Sequence, residues 1–122
     1  MLAASDLDPL AVRRQYSRRA ASPGRADFLF AEIESRMLER LDVVRISPQS
    51  VIDVGCGAGR GLLALKKRYP AAELTGLDSA PGMARAARDA LAPPARGFFA
   101  RLRGDAAKPV AHVVAADANA LP

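Results

Sequence analysis

Val51-Ile52-Asp53-Val54-Gly55-Cys56-Gly57-Ala58-Gly59-Arg60-Gly61 is the stretch whose reading decides the fold. A short β-branched run delivers one acidic residue and then meets glycines at 55, 57, 59 and 61. Such a run reads as a buried strand. Glycine is required where the backbone turns sharply or touches a ligand with no side chain between. Gly59 to Tyr69 then reads as a helix with Leu62, Leu63, Leu65 and Tyr69 inward, and Pro70 stops it. The start of that helix offers free backbone N–H groups to an anionic or strongly polar ligand. A phosphate-cradling loop would need Gly-Lys-Ser/Thr, which does not occur. A dinucleotide GxGxxG does not fit either. Its third glycine falls on Arg60 counted from Gly55, and on Leu62 counted from Gly57. What stands is Asp53-x-Gly55-x-Gly57-x-Gly59.

Downstream, Glu73 to Leu77 reads as a second strand ending at Asp78, and Pro81 to Leu91 as a helix. Residues 92–109 are looser, with Pro93-Pro94, Gly97, Gly104 and Pro109. Ala111 to Ala116 reads as a third strand ending at Asp117. Upstream, Asp8-Pro9 caps and opens a helix to about Ala21 that carries Arg13, Arg14, Arg18 and Arg19. Ser22-Pro23-Gly24 breaks it. A second helix from about Ala26 to Val44 carries an apolar stripe of Leu29, Ile33, Met37 and Leu41. Arg45 to Ser50 is a connector. From residue 51 the order is strand, helix, strand, helix, strand. That predicts an α/β fold, a βαβαβ half of a doubly wound parallel sheet with right-handed crossovers.

The chain has 122 residues, enough for one domain or part of one. No apolar run reaches the ~18 residues of a membrane span, and the first residues lack the basic start of a secretory signal. The lone cysteine, Cys56, excludes an internal disulfide and fits a reducing, cytoplasmic setting. One cysteine and one histidine, His112, argue against a structural zinc site, and no metal is expected. The net charge of +5 reads as a mildly basic surface, or as a preference for acidic partners. No aromatic stacking pattern or zinc-finger spacing accompanies the arginines, so no nucleic-acid partner is expected.

Two further signals lie at strand ends. Asp78 stands 23 residues after Gly55, where a carboxylate can accept both hydroxyls of a ribose diol. The alternative is that it only caps the helix at Pro81. Asp117-Ala118-Asn119-Ala120-Leu121-Pro122 follows the third strand; its alternative is a turn of small residues. All three signals lie at C-terminal strand ends, the edge along which open α/β sheets bind ligands.

The Asp-x-Gly-x-Gly-x-Gly pattern resembles the first motif of class I S-adenosylmethionine-dependent methyltransferases. The Asp-Ala-x-x-Leu-Pro segment resembles another of theirs. RRQYSRRAA, ADFLFAEIESRMLERLDVVRISP and RYPAAELTGLDSAPGMARAAR look like the malonyl-acyl-carrier-protein O-methyltransferases of biotin synthesis. The resemblance covers essentially the whole chain. It implies a Rossmann-like half-sheet with strand order 3-2-1 over residues 51–122, and a helical lid and connector over residues 1–50. It implies S-adenosyl-L-methionine as cofactor. Gly55, Gly57 and Gly59 would approach it backbone-on, with Cys56 between them, and Asp53 would support its amino group. Asp78 would take the ribose, Ser79 and Met83 would pack near the adenine, and Asp117 and the Ala118 N–H would read the adenine edge. Two departures stand out. Ser22-Pro23-Gly24-Arg25 lacks the aromatic residue such enzymes usually carry there and is about one residue short. The class I sheet also has seven strands and only three occur here, so the chain reads as an N-terminal piece.

A malonyl carboxylate is already ionised at neutral pH. Its methylation needs alignment, water exclusion and charge neutralisation rather than a general base. No catalytic residue is assigned. Arg14, Arg18 and Arg19 are candidates for the substrate carboxylate through their place in the expected lid. Cys56 sits beside a helix start, where a thiol pKa can fall, but it reads as a small residue that fits. His112 reads as structural. Phe98, Phe99 and Leu102 alternate with Arg101 and Arg103, which reads as a loop anchored on the core, or as a surface for a carrier protein or membrane. Two other functions stay open: a class I methyltransferase of another small molecule, and a non-catalytic remnant that only binds the cofactor. In the expected order the first strand is a bare apolar edge, so self-association is expected.

Overall fold

The computed structural model describes residues 7–22, 27–93 and 110–120. Their order is α1 (Pro9–Ala21), α2 (Asp27–Arg40), β1 (Ser50–Val54), α3 (Arg60–Arg68), β2 (Glu73–Asp78), α4 (Pro81–Leu91) and β3 (His112–Ala115). Asp8 caps α1 by accepting from the Leu10 N–H at 2.9 Å, with Pro9 at the first helical position. The α2 stripe ends earlier than its periodicity predicts: the α-helix stops at Arg40 and tightens into a 3₁₀ turn, Leu41–Val43. Phe98, Phe99 and Leu102 lie outside the described residues.

The three strands are parallel in the order β1-β2-β3, which makes β2 central and β1 an edge. That is the expected open Rossmann-like sheet. The register pairs Asp53 with Gly76 and Val51 with Leu74, while Gly76 pairs with Val113. These residues share one face because side chains alternate along a strand. The core forms there: Leu74 of β2, Leu62 of α3 and Leu91 of α4 are fully buried, with Ala72, Ala87 and Ala111 around them. Gly76 permits the close approach, since a Cβ there would lie 2.6 Å from Leu62 Cδ1 and 2.8 Å from Cys56 Sγ. Leu63, expected inward, is exposed. One step of ~100° from Leu62 turns it off the face that meets the sheet. His112 starts β3 on an outer strand and is exposed.

The opposite sheet face carries Ile52, Val54 and Val114, which are 64%, 60% and 45% exposed. The α2 stripe is open as well: Leu29, Ile33 and Met37 are exposed, and α2 has no buried residue. Among the described residues, no helix is long and apolar enough to cross a membrane.

An apolar edge strand beside an apolar open face invites pairing with other chains. The 122-residue chain is expected to self-associate at micromolar concentration. Ile52→Lys with Val54→Lys should shift it toward monomer in light scattering. A monodisperse wild-type monomer would contradict this.

Candidate functional site

The glycine loop after β1 is fastened to the end of β2. The Gly55 and Cys56 N–H groups both donate to the Leu77 carbonyl, at 2.8 and 2.9 Å. The Gly59 N–H donates to the Cys56 carbonyl at 3.0 Å, closing the turn before α3. Three glycines adopt left-handed backbone angles: Gly55 (φ 81°), Gly57 (φ 53°) and Gly59 (φ 87°). Their surroundings differ. A Cβ at Gly55 or Gly57 would meet nothing within 4 Å, so both turn a bare backbone toward open space. A Cβ at Gly59 would lie 3.2 Å from both Ala87 Cβ and Leu91 Cδ1, so this glycine serves the seating of α4 against the loop.

Asp78 lies next in the chain to Leu77 and grips the same loop through its carboxylate. One oxygen accepts from the Gly57 N–H at 2.9 Å, the other from the Ala80 N–H at 2.8 Å. Its own carbonyl accepts from the Ala116 N–H at 3.0 Å and so holds the end of β3. Asp78 is therefore more than a helix cap; the N-cap of α4 is Ala80, which has no side-chain cap. Each carboxylate oxygen spends one lone pair on the backbone and keeps another for an incoming donor.

Asp53 lies beneath the loop, its Oδ2 3.3 Å from where a Cβ of Gly61 would stand. Burial pushes its carboxyl pKa up, and the carboxylates of Glu34 and Asp78 push it further. Glu34 comes from α2 and meets Arg60 at 3.1 Å. Cys56 is buried against Gly76. Burial, with Asp53 and Asp78 nearby, raises its thiol pKa to about 11. The helix start does not activate it, and the thiol is a packed small group. Ser79 lines a cavity of about 490 Å³ between α1 and the β2–α4 turn. Met83 is half-buried in the first turn of α4.

Asp117 follows β3, and Ala118 opens a 3₁₀ turn, Ala118–Ala120. One Asp117 oxygen accepts from the Asn119 backbone N–H at 3.0 Å and from its side-chain amide at 3.2 Å. The other is paired with the Arg13 guanidinium of α1. The Asn119 backbone N–H, aided by Arg13, holds the Asp117 carboxyl below the usual range. Of the α1 arginines, Arg19 lies over the Tyr16 and Phe30 rings, 5.7 and 5.4 Å from their centroids, and 3.9 Å from Asp27. Arg14 and Arg18 line the cavity with Ser79. Two contributors carried no sequence signal, Arg13 and Glu34, because each meets its partner across the fold. Among the described residues, no group of three or more His, Cys, Asp or Glu side chains is placed to hold a metal ion.

The parallel sheet carries a glycine loop after β1, with carboxylates near the C-terminal ends of all three strands, Asp53 within β1, Asp78 ending β2 and Asp117 beyond β3. Residues 51–122 match the family described as a methyltransferase domain, and the chain belongs to that family. It is 39% identical over 116 residues to a malonyl-[acyl-carrier protein] O-methyltransferase of Methylovorus sp., covering 95% of this chain and 36% of that one. It is 45% identical over 96 residues to the protein of that name from Laribacter hongkongensis, covering 77% and 32%. The chain thus spans about a third of the length of these curated relatives. Among solved structures, it superposes with a TM-score of 0.60 and 21% identity on the Haloferax volcanii complex of the Trm112 activator with a protein assigned as a methyltransferase, covering 88% of this chain and 41% of that one. A chain assigned as an S-adenosyl-L-methionine-dependent methyltransferase from Methanococcus maripaludis gives 0.56 and 20% identity, covering 100% and 48%. These two likenesses concern the fold.

Alanine should separate the loop glycines. Gly57→Ala should cost about 1–2 kcal/mol, the left-handed backbone alone. Gly59→Ala should cost a further ~1–3 kcal/mol from crowding. Urea unfolding checks the order. Asp53 gives a pH signature. Its folded-state pKa lies above its unfolded value, so stability is gained as pH falls through the folded value and lost above it. Asp53→Asn should stabilise the ligand-free chain at pH 7 by roughly 0.5 kcal/mol after solvent screening, and should flatten the melting temperature across that window.

Proposed function

We propose that this chain forms the S-adenosyl-L-methionine-binding half of a class I methyltransferase. We further propose that the protein carrying it methylates the free carboxylate of malonyl-acyl carrier protein, a step of biotin synthesis in the cytoplasm. The observation that carries the cofactor reading is the Asp78 carboxylate. It bridges the Gly57 and Ala80 N–H groups and keeps outward lone pairs beside the bare face of the glycine loop. The names of the similar chains support the substrate.

In this reading the residues fit the cofactor. Gly55 and Gly57 let it lie against the backbone, Cys56 packs the loop from below, and Gly59 seats the following helix. Asp78 accepts the ribose hydroxyls. Ser79 and Met83 border the adenine, and Asp117 with Ala118 reads its polar edge. Asp53 offers negative charge to the ammonium end. When bound, the cofactor supplies an electrophilic methyl group on a sulfonium. The chain's own part is to orient, to exclude water and to concentrate charge. Residues 1–50 act as the lid over this edge, with Arg14 and Arg18 the arginines nearest Ser79. A basic surface suits an acidic carrier. The competing readings are a class I methyltransferase of another small molecule and a non-catalytic chain that only binds the cofactor.

Calorimetry of the chain with S-adenosylhomocysteine tests the cofactor reading. Wild type should bind, and Asp78→Ala should lose at least about tenfold, since charge-assisted hydrogen bonds contribute ~1.5–3 kcal/mol. Equal binding by both would remove Asp78 from the site. Methyl transfer to malonyl-acyl carrier protein by a protein that carries this chain tests the substrate, and its absence would leave the acceptor to another small molecule.

A further inference from the structure

The Arg13–Asp117 pair joins two residues 104 positions apart, and the glycine-loop motifs give no reason for it. Arg13 and Ser17 are four apart on α1 and therefore share one helix face. That face is seated firmly on α4. The Ser17 hydroxyl accepts from the Gly82 N–H at 3.1 Å. A Cβ at Gly82 would lie 2.6 Å from the Ser17 carbonyl oxygen, so the two backbones are in close contact. The seating carries the Arg13 guanidinium to the turn after β3. The 490 Å³ cavity beneath α1 is lined by Arg13 and Ser17 from the helix and by Ser79 from the turn after Asp78.

The two Asp117 oxygens are not equivalent. One is filled by Asn119 within its own turn, at 3.0 and 3.2 Å. The other faces Arg13. A ligand amine that donates to Asp117 must use the second oxygen, and there it meets a guanidinium, which is a donor only. That oxygen keeps a second lone pair beside the one Arg13 takes, so the amine would approach next to the guanidinium and compete with it for room and for the charge of the carboxylate. The pair is also weak enough to exchange. The Arg13 and Asp117 side chains are 34% and 31% exposed, a setting in which solvent and salt screen the attraction.

We propose that Arg13 is a positioning residue of the adenosyl site: it holds the Asp117 carboxylate in the ligand-free chain and yields it to the exocyclic amine of the ligand. The proposal rests on the cofactor reading above. It makes α1 a strap latched across the adenine end. The ligand's apparent affinity is then lowered by the fraction of molecules in which the latch is closed.

The test combines calorimetry of the 122-residue chain with S-adenosylhomocysteine and amide exchange across α1. Arg13→Gln should bind about 3–10-fold tighter than wild type. Raising NaCl should strengthen wild-type binding and leave Arg13→Gln unchanged, a dependence that a purely structural arginine would not produce. Ligand should raise α1 exchange in wild type to the level that Arg13→Gln shows without ligand. Asp117→Asn should free α1 equally but gain no affinity, because the ligand's own acceptor is weakened. Equal or weaker binding by Arg13→Gln, or unchanged α1 exchange in that variant, overturns the latch while the cofactor reading stands. No binding by either protein removes the cofactor reading and the latch with it.

Discussion

The site depends on the end of β2. Leu77 and Asp78 are consecutive, and between them they hold every other part. The Leu77 carbonyl takes two N–H groups of the glycine loop, the Asp78 carboxylate takes a third and fixes the turn into α4, and the Asp78 carbonyl ties down the end of β3. Because β2 is central, these bonds reach both neighbours from one short segment. Without that carboxylate, the Gly57 and Ala80 N–H groups would lose their partners, at about 1–3 kcal/mol each where water cannot replace them. Glycine supplies the other half of the constraint: the loop reaches the strand end only through left-handed angles at 55, 57 and 59.

The same geometry concentrates negative charge in a chain whose balance is positive. Asp53 lies one residue before the end of β1, Asp78 ends β2 and Asp117 follows β3, so the parallel register brings them toward one edge. The cost appears at Asp53, whose carboxyl is pushed up by burial, Glu34 and Asp78. The arginines sit around this centre and take its outer partners: Arg60 pairs with Glu34, and Arg13 with Asp117. An acidic middle with a basic rim follows.

Much of this was legible in the sequence because it is local. Val51 to Gly61 names its strand, its turn and the helix start through β-branching and glycine spacing. Asp8-Pro9, Pro70 and Pro81 mark helix boundaries through backbone chemistry that needs no tertiary context. Strand order came from the family resemblance rather than from any local signal, and the sheet has that order. Misreadings arose where tertiary structure decides. Leu63 looks inward by hydrophobicity alone, but α3 has a single sheet face to meet and Leu62 occupies it. Cys56, read as a small residue that fits, is buried, and burial with two nearby carboxylates keeps its thiol from being activated by the helix start. Arg13 could not be told from Arg14 or Arg18, since only the seating of Ser17 on Gly82 selects which arginine reaches Asp117.

The core on which the site stands is lean. Five of its buried positions, Ala72, Ala80, Ala84, Ala87 and Ala111, are alanine. Alanine lets helix and sheet approach closely but removes little apolar area from water. Larger groups that would contribute ~1.5–3 kcal/mol each on full burial, Ile52 and Val54 among them, remain exposed. Strands of parallel sheets are ordinarily covered on both faces, and here one face is covered among the described residues. A ligand held at three strand ends would therefore add materially to the stability of the half-sheet. At a hundred times its Kd it would contribute about 2.7 kcal/mol, comparable to burying one of those side chains. A ligand bound by the folded chain raises its apparent stability by mass action, so its melting temperature would depend on ligand concentration.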